Sequence, residues 1–461
     1  MRQRERLRTT RTVTWLWGII AVAVATRVAA ALYLGNEVTP LPGIFDQISY
    51  HTLALRVLDG HGFSFGEGWW PVTPANQPTA HWSYLYVSFL AGIYAVAGPN
   101  PLVARLVQAV AVGVLQPLLT YRIGRRLFGP RVGLAAAAVA ACYAYFVYYA
   151  AALVTEALCI VALLWSVDVA MGLVEAAETP ERSVRRVRWL HLGLALGVAV
   201  LLRQVILLTV PVILGWVAWQ ILRGPGHDSR RRELLVGLAL AGLVMAACIA
   251  PWTIRNYRAF HQVVLLNTNA GFAFYWGNHP IHGTSFMPLY SGGASAYLDV
   301  IPEELRGLNE AELERALLAR GLAFVAQDPE RVFWLSVSRI QEYLKFWPSR
   351  GSGAVSNLAR ILSFGLCLPF LVWGIVLSLV KRPRSPGVDR CSTKGGLWLL
   401  YGVVFTYSAI HLLTWTLVRY RLPVDAVLMP FAGLSLIWTL DWLWRHARHG
   451  RLVSQPATSA S

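Results

Sequence analysis

Apolar residues along most of this chain neither alternate nor recur on a single helical face. They run in long unbroken blocks separated by short polar stretches. A block of about 20 such residues is the length an upright helix needs to cross a bilayer. Blocks near 13–34, 101–121, 132–150, 153–174, 189–203, 205–222, 234–253, 357–380, 396–416 and 423–444 predict ten spans and an all-α polytopic membrane protein. The first block follows a basic start, as a signal peptide would. Its length and the absence of a small-residue cleavage site favour a retained span.

Residues 82–98, "WSYLYVSFLAGIYAVAG", are equally apolar but fail on parity. The arginines fall in clusters between the blocks, among them "YRIGRRLFGPR", "ERSVRRVR" and "RHARHGR". With 82–98 lying on the outer surface, every cluster falls on the cytoplasmic side, as basic loops do in membrane proteins. With 82–98 crossing, the later clusters are all inverted. The same placement accounts for a net charge of +17 in a chain only 14% charged, with no need for nucleic acid. Both termini are therefore expected in the cytoplasm of a plasma or inner membrane, and residues 35–100 outside as one loop with juxtamembrane helices.

The expected organisation is a transmembrane catalytic module over 1–253, an external helical subdomain over 254–355, C-terminal spans over 356–446 and a disordered tail over 447–461. Within the subdomain, Asn309 and Glu312 form a capping-box pattern. Asp328-Pro329 reads as the start of a second, amphipathic helix. Five cysteines show no metal or redox spacing.

Sorting the polar residues by side brings several to the external surface: Asp46, Glu156, Arg203-Gln204, Arg255-Asn256 and Arg419-Tyr420-Arg421. Ionisable residues at such depth default to a functional reading. Each also has a plain structural alternative: an N-cap for Asp46, a dipole-favoured carboxylate for Glu156, snorkelling for Arg203, interfacial anchoring for Arg419 and Arg421. Two carboxylates with several arginines at one leaflet suit chemistry on a phosphate-bearing lipid, because arginine grips phosphate by forked, charge-assisted bonds. Arg203 and Arg255 are the first candidates for the phosphate, then Arg105 or Arg421. Asn256, Asn278 and His279 are candidates for sugar or acceptor contacts. His51, His61 and His81 lack the spacing of a helical metal pair with Asp46.

"FDQISYHTLALRVLDGHGFSF", "NQPTAHW", "LVARLVQAV", "VTEAL", "PWTIRNY", "NTNAGFAFYWGNHPIHG" and "RYRLPVD" follow one another as in a known family. The chain resembles the GT-C membrane glycosyltransferases of the family 39 branch, which includes protein O-mannosyltransferases and aminoarabinose transferases. The resemblance implies a GT-C-like fold and transfer of a sugar from a polyprenyl-phosphate donor to a glycan, lipid or protein acceptor on the external face. It also puts Asp46 at the catalytic aspartate, with Tyr50 after it and Glu156 at the second acidic position. His81, next to last in "NQPTAHW", joins the expected sugar or acceptor contacts. The chain departs from the pattern at "HWSYLYV", where a proline-rich turn is usual, which bears on acceptor specificity. The reading assigns no definite cofactor, and a divalent ion, at Glu156, is the one it leaves room for. The competing class is a lipid-linked sugar flippase or transporter, which would place its polar site near the midplane between symmetric halves.

Overall fold

A computed structural model describes residues 2–42, 44–176, 182–223, 227–288, 294–349, 352–380 and 390–453. Most of the expected tail, residues 454–461, lies outside them. Among the described residues there are no strands, only isolated bridges at Leu41–Ile44, Ser64–Pro78 and Trp69–Thr73.

The chain begins with α1 (Arg2–Leu34), then two short helices, α2 (Asp46–Leu58) and α3 (Tyr84–Ala97). Next come α4 (Pro101–Phe128), α5 (Pro130–Cys142), α6 (Ala144–Ala151), α7 (Glu156–Ala176), α8 (Arg182–Leu202), α9 (Val210–Leu222) and α10 (His227–Phe260). A middle segment holds α11 (Ala270–Asn278), α12 (Ala294–Asp299), α13 (Glu310–Gln327) and α14 (Pro329–Tyr343). The chain closes with α15 (Ala354–Arg360) running through a π-turn into α16 (Leu366–Val380), then α17 (Arg390–Leu413) and α18 (Leu422–Val453).

Among the described residues, eight helical stretches have the length and apolarity to cross a membrane: 10–34, 101–128, 156–176, 204–222, 230–260, 354–380, 395–413 and 418–447. A ninth is the pair α5 and α6, bent by 56°. The expected tenth, 189–203, falls in α8, whose first turns carry Arg182, Arg185, Arg186 and Arg188 and leave too short an apolar remainder. α8 nonetheless packs between α7 and α10. At 14 residues, α3 spans ~21 Å at 1.5 Å per residue, short of a hydrocarbon core about 30 Å thick. It lies instead against α2 and α8, and its N-cap Ser83 hydroxyl donates to the Leu201 carbonyl at 2.9 Å.

Two close approaches build the bundle. A β-carbon on Gly133 would meet the Tyr121 carbonyl at 2.7 Å, and one on Gly433 would meet the Val132 carbonyl at 2.7 Å, so α4, α5 and α18 touch backbone to backbone. The break after α5 falls at Tyr143, whose backbone is extended. The carbonyls freed there, Ala140 and Ala141, accept from the buried Arg27 guanidinium at 3.2 and 3.1 Å. Irregular backbone inside a bundle persists only where such partners satisfy it.

The expected caps of the middle segment form. Asn309 Oδ1 accepts from the Ala311 and Glu312 amides, and Glu312 reaches back to the Asn309 amide. Asp328 accepts from Arg331 N, with Pro329 at the first helical position. One boundary moves: α10 runs through Pro251 to Phe260, so Arg255 and Asn256 sit on its last turns and not in a following loop.

Candidate active site

Four separate segments deliver one cluster of charge. Asp46 opens α2, Glu156 opens α7, Arg203 is an extended residue after α8, and Arg419 lies in a 3₁₀ turn, Val418–Arg421, ahead of α18. Asp46 Oδ2 meets Arg419 Nη1 at 2.7 Å. Glu156 Oε1 meets Arg203 Nη1 at 3.1 Å and Arg419 Nε at 3.7 Å. Both guanidiniums rest on the Tyr420 ring, 4.9 and 5.3 Å from its centroid, and His411 stacks on that ring. Two acids and two arginines thus balance in charge at one place.

Exposure separates the two acids. The Glu156 side chain is 2% exposed and that of Asp46 29%, so Asp46 is the more accessible of the two carboxylates. Glu156 is locked against arginine at a helix N-terminus, where the dipole also favours negative charge.

Aromatic side chains wall the Asp46 side. Tyr50, one turn along α2, meets Trp82 and Tyr86 edge-on at 5.4 and 4.9 Å. Burial pushes its phenol above the ordinary range, with the charges of Asp46 and Glu156 adding to the effect, so it stays a protonated donor. His81 is packed among Trp70, Trp82 and Phe272. Burial pushes it down to about 4 against the opposing pull of Asp46, and its Nδ1 has no hydrogen-bond partner among the described residues.

The other expected site residues are committed elsewhere. Arg255 donates to the Thr79 and Phe63 carbonyls and the Tyr84 hydroxyl, holding the 63–84 stretch to α10 rather than facing the cluster. Asn256 is buried, accepting from Tyr84 and donating to the Val264 and Leu266 carbonyls. Asn278 is buried too, donating to the Phe274 and Leu413 carbonyls and accepting from Arg339. His279 caps a short 3₁₀ turn through Ile281 N. Arg105 donates to the Ala151 and Glu37 carbonyls and to Gln47, so it pins the entry to α2 beside Asp46 without facing the cluster. Arg421 points to Asp425, two residues from the arginine that does join the acids.

Arg419 is the residue the sequence reading left out of its phosphate set. Its signal was present in "RYRLPVD", but in a 3₁₀ turn of about three residues each, positions two apart face different ways. Glu310 was missed as well. Its carboxylate, 7% exposed, accepts from Ala80 N at 2.7 Å, Thr73 Oγ1 at 3.0 Å and the Thr268 hydroxyl, tying the 73–80 stretch to α13. Among the described residues, no group of three or more His, Cys, Asp or Glu is arranged to hold a metal ion.

Residues 83–254, which carry Glu156 and Arg203, match the family described as dolichyl-phosphate-mannose-protein mannosyltransferase. Over 149 residues the chain is 28% identical to an undecaprenyl phosphate-alpha-4-amino-4-deoxy-L-arabinose arabinosyl transferase of Erwinia tasmaniensis, covering 31% of this chain and 26% of the relative. The fold is shared with the oligosaccharyltransferase AglB of Archaeoglobus fulgidus, solved with an inhibitory peptide and a dolichol-phosphate (TM-score 0.57, 16% identity, 97% of this chain, 53% of that one). It is also shared with ArnT of Cupriavidus metallidurans, solved with undecaprenyl phosphate (TM-score 0.50, 16% identity, 96% and 66%). The chain spans about a quarter of the curated relative and about half of the oligosaccharyltransferase. The likeness to the protein-mannosyltransferase family is thus carried by residues 83–254, and the chain as a whole shares the helical membrane fold of these solved structures.

Proposed function

We propose that the chain is a membrane glycosyltransferase moving a sugar from a polyprenyl-phosphate donor to an acceptor hydroxyl on the external face of the cell's inner membrane, with inversion. The acceptor is a glycan, a lipid or a protein. The observation that carries this reading is the more accessible carboxylate of Asp46 beside two arginines, Arg419 and Arg203, and a buried second acid. The relatives solved with dolichol-phosphate and with undecaprenyl phosphate support a polyprenyl-phosphate donor for this chain too.

In this mechanism the acceptor oxygen attacks the anomeric carbon while Asp46 takes its proton. The new C–O bond forms as the bond to the phosphate oxygen breaks, and the electron pair leaves on the lipid phosphate. Arg419 and Arg203 hold that developing charge, a preorganised arrangement that typically contributes several kcal/mol. Glu156 keeps both arginines in place, and the Tyr50 hydroxyl supplies a neutral donor to the sugar.

The test uses purified protein in nanodiscs with a panel of radiolabelled polyprenyl-phosphate sugars and crude envelope extract as acceptor, following release of free polyprenyl phosphate. One donor should release, and Asp46→Asn should slow it by about 10²–10⁴-fold with the fold intact. Asp46→Asn at the wild-type rate would remove the base from the mechanism. No release from any donor would turn attention to the flippase reading.

A further inference from the structure

Two residues beyond Arg419, the same 3₁₀ turn carries a second arginine that is nowhere near solvent. Arg421 is 1% exposed and Asp425 0%, paired at 3.1 and 3.3 Å between Nε and the two carboxylate oxygens. The Tyr143 hydroxyl donates to Asp425 Oδ2 at 2.6 Å. Arg421 also donates to the Tyr343 carbonyl at the end of α14 and lies 3.4 Å above the centroid of the Phe364 ring. The Arg421–Asp425 pair therefore joins the break between α5 and α6, through Asp425, and the end of α14 and the π-turn before α16, through Arg421, to the turn that presents Arg419.

An ion pair this deep is a poor way to gain stability. Removing two charges from water costs several kcal/mol each, and replacing such a pair by apolar residues is often neutral or favourable. What the pair does supply is a fixed direction for a short turn. The turn has Arg421 anchored on Asp425 and, two positions away, Arg419 directed elsewhere, onto Asp46 and Glu156.

We propose that Asp425 is a positioning residue: clamped between Arg421 and the Tyr143 hydroxyl, it sets the Val418–Arg421 turn so that Arg419 stays on Asp46 and Glu156. It touches no substrate in this scheme and acts only through the turn. The inference rests on the function proposed above for the Asp46 cluster, so its test includes one readout that needs no turnover.

The informative variant is the double replacement Arg421→Met with Asp425→Leu, which removes the anchor without leaving a buried charge alone. In nanodiscs it should fold and melt no lower than wild type, while kcat falls about 10–100-fold, in the range of a misplaced oxyanion partner, and the donor KM stays within about threefold. Asp425→Glu keeps the charge and should recover most of the rate. Wild-type kcat in the double variant overturns the proposal, as does a rate loss that simply follows the loss of folded protein. The readout without turnover is a melting-temperature cycle between Asp46→Asn and Asp425→Asn. If Asp425 positions Arg419, the shift caused by Asp46→Asn shrinks in the Asp425→Asn background; additive shifts reject the idea. Loss of transfer in Asp46→Asn with Asp425 variants behaving as wild type defeats this inference alone. Full transfer by Asp46→Asn defeats the site reading instead.

Discussion

Asp46 and Glu156 are the same chemistry in different company, and their variants should fail differently. Glu156 is 2% exposed and faces Arg203, itself mostly buried. Glu156→Gln removes the counter-charge from a buried guanidinium, a change that typically costs about 3–5 kcal/mol. Its melting temperature in nanodiscs should therefore drop well below that of Asp46→Asn, whose carboxylate is partly open to solvent. Equal melting temperatures would mean that Arg203 finds another partner. Residue type and depth made both acids legible in the sequence. The assignment among arginines was not, because Arg203, Arg255, Arg105 and Arg421 look alike until the backbone aims them. Arg255 and Arg105 are spent on loop carbonyls, and Arg421 on Asp425. Asn256 and Asn278 were read as site contacts on position alone, and both prove to be buried joints between segments.

Element ends were the most readable part of the chain, since caps are local chemistry. The Asn309–Glu312 box and the Asp328-Pro329 start need only three or four adjacent residues, and both form as expected. Asn309→Ala and Asp328→Ala should each cost about 1 kcal/mol, seen as a lower melting temperature or faster proteolysis around α13 and α14, with the transmembrane helices unaffected. The break at Tyr143 could not be read this way. No proline or glycine marks it, and its stability comes from Arg27, more than a hundred positions earlier, with Ser363 and Asp425 far downstream. The same limit applies to α8, which lacks a full-length apolar block yet is held in place by packing against α7 and α10.

At the scale of the whole molecule, the middle segment and the 35–100 stretch behave as one body. Glu310 bridges them by hydrogen bonds, and His81 sits between Trp70 and Phe272. Burial pushes His81, His279 and His282 each down to about 4. In the unfolded chain a histidine titrates near 6.5. Between those values the unfolded state binds more protons, so stability is full above about 6.5 and declines as pH falls towards about 4. Melting curves collected from pH 7 to pH 4 should show that decline in this body, weakened by His81→Gln. A flat profile would mean that protonation is accommodated without opening. The proposed sidedness is testable at the same scale. Single cysteines at Glu67 and Arg445, both exposed, should react with an impermeant thiol reagent from opposite faces of the membrane; labelling from one face would reverse the parity argument.

Asp46 lies near the beginning of the chain and Arg419 near its end. At a synthesis rate of about 5–20 residues per second, roughly twenty seconds to more than a minute separate the emergence of the acid from that of its cation. Throughout that interval Asp46 lacks its Arg419 partner, and of the two arginines proposed for the phosphate only Arg203 can be in place. The contact between Asp46 and Arg419 therefore closes only once the turn ahead of α18 has joined the bundle, so the proposed centre is among the later parts of this fold to assemble.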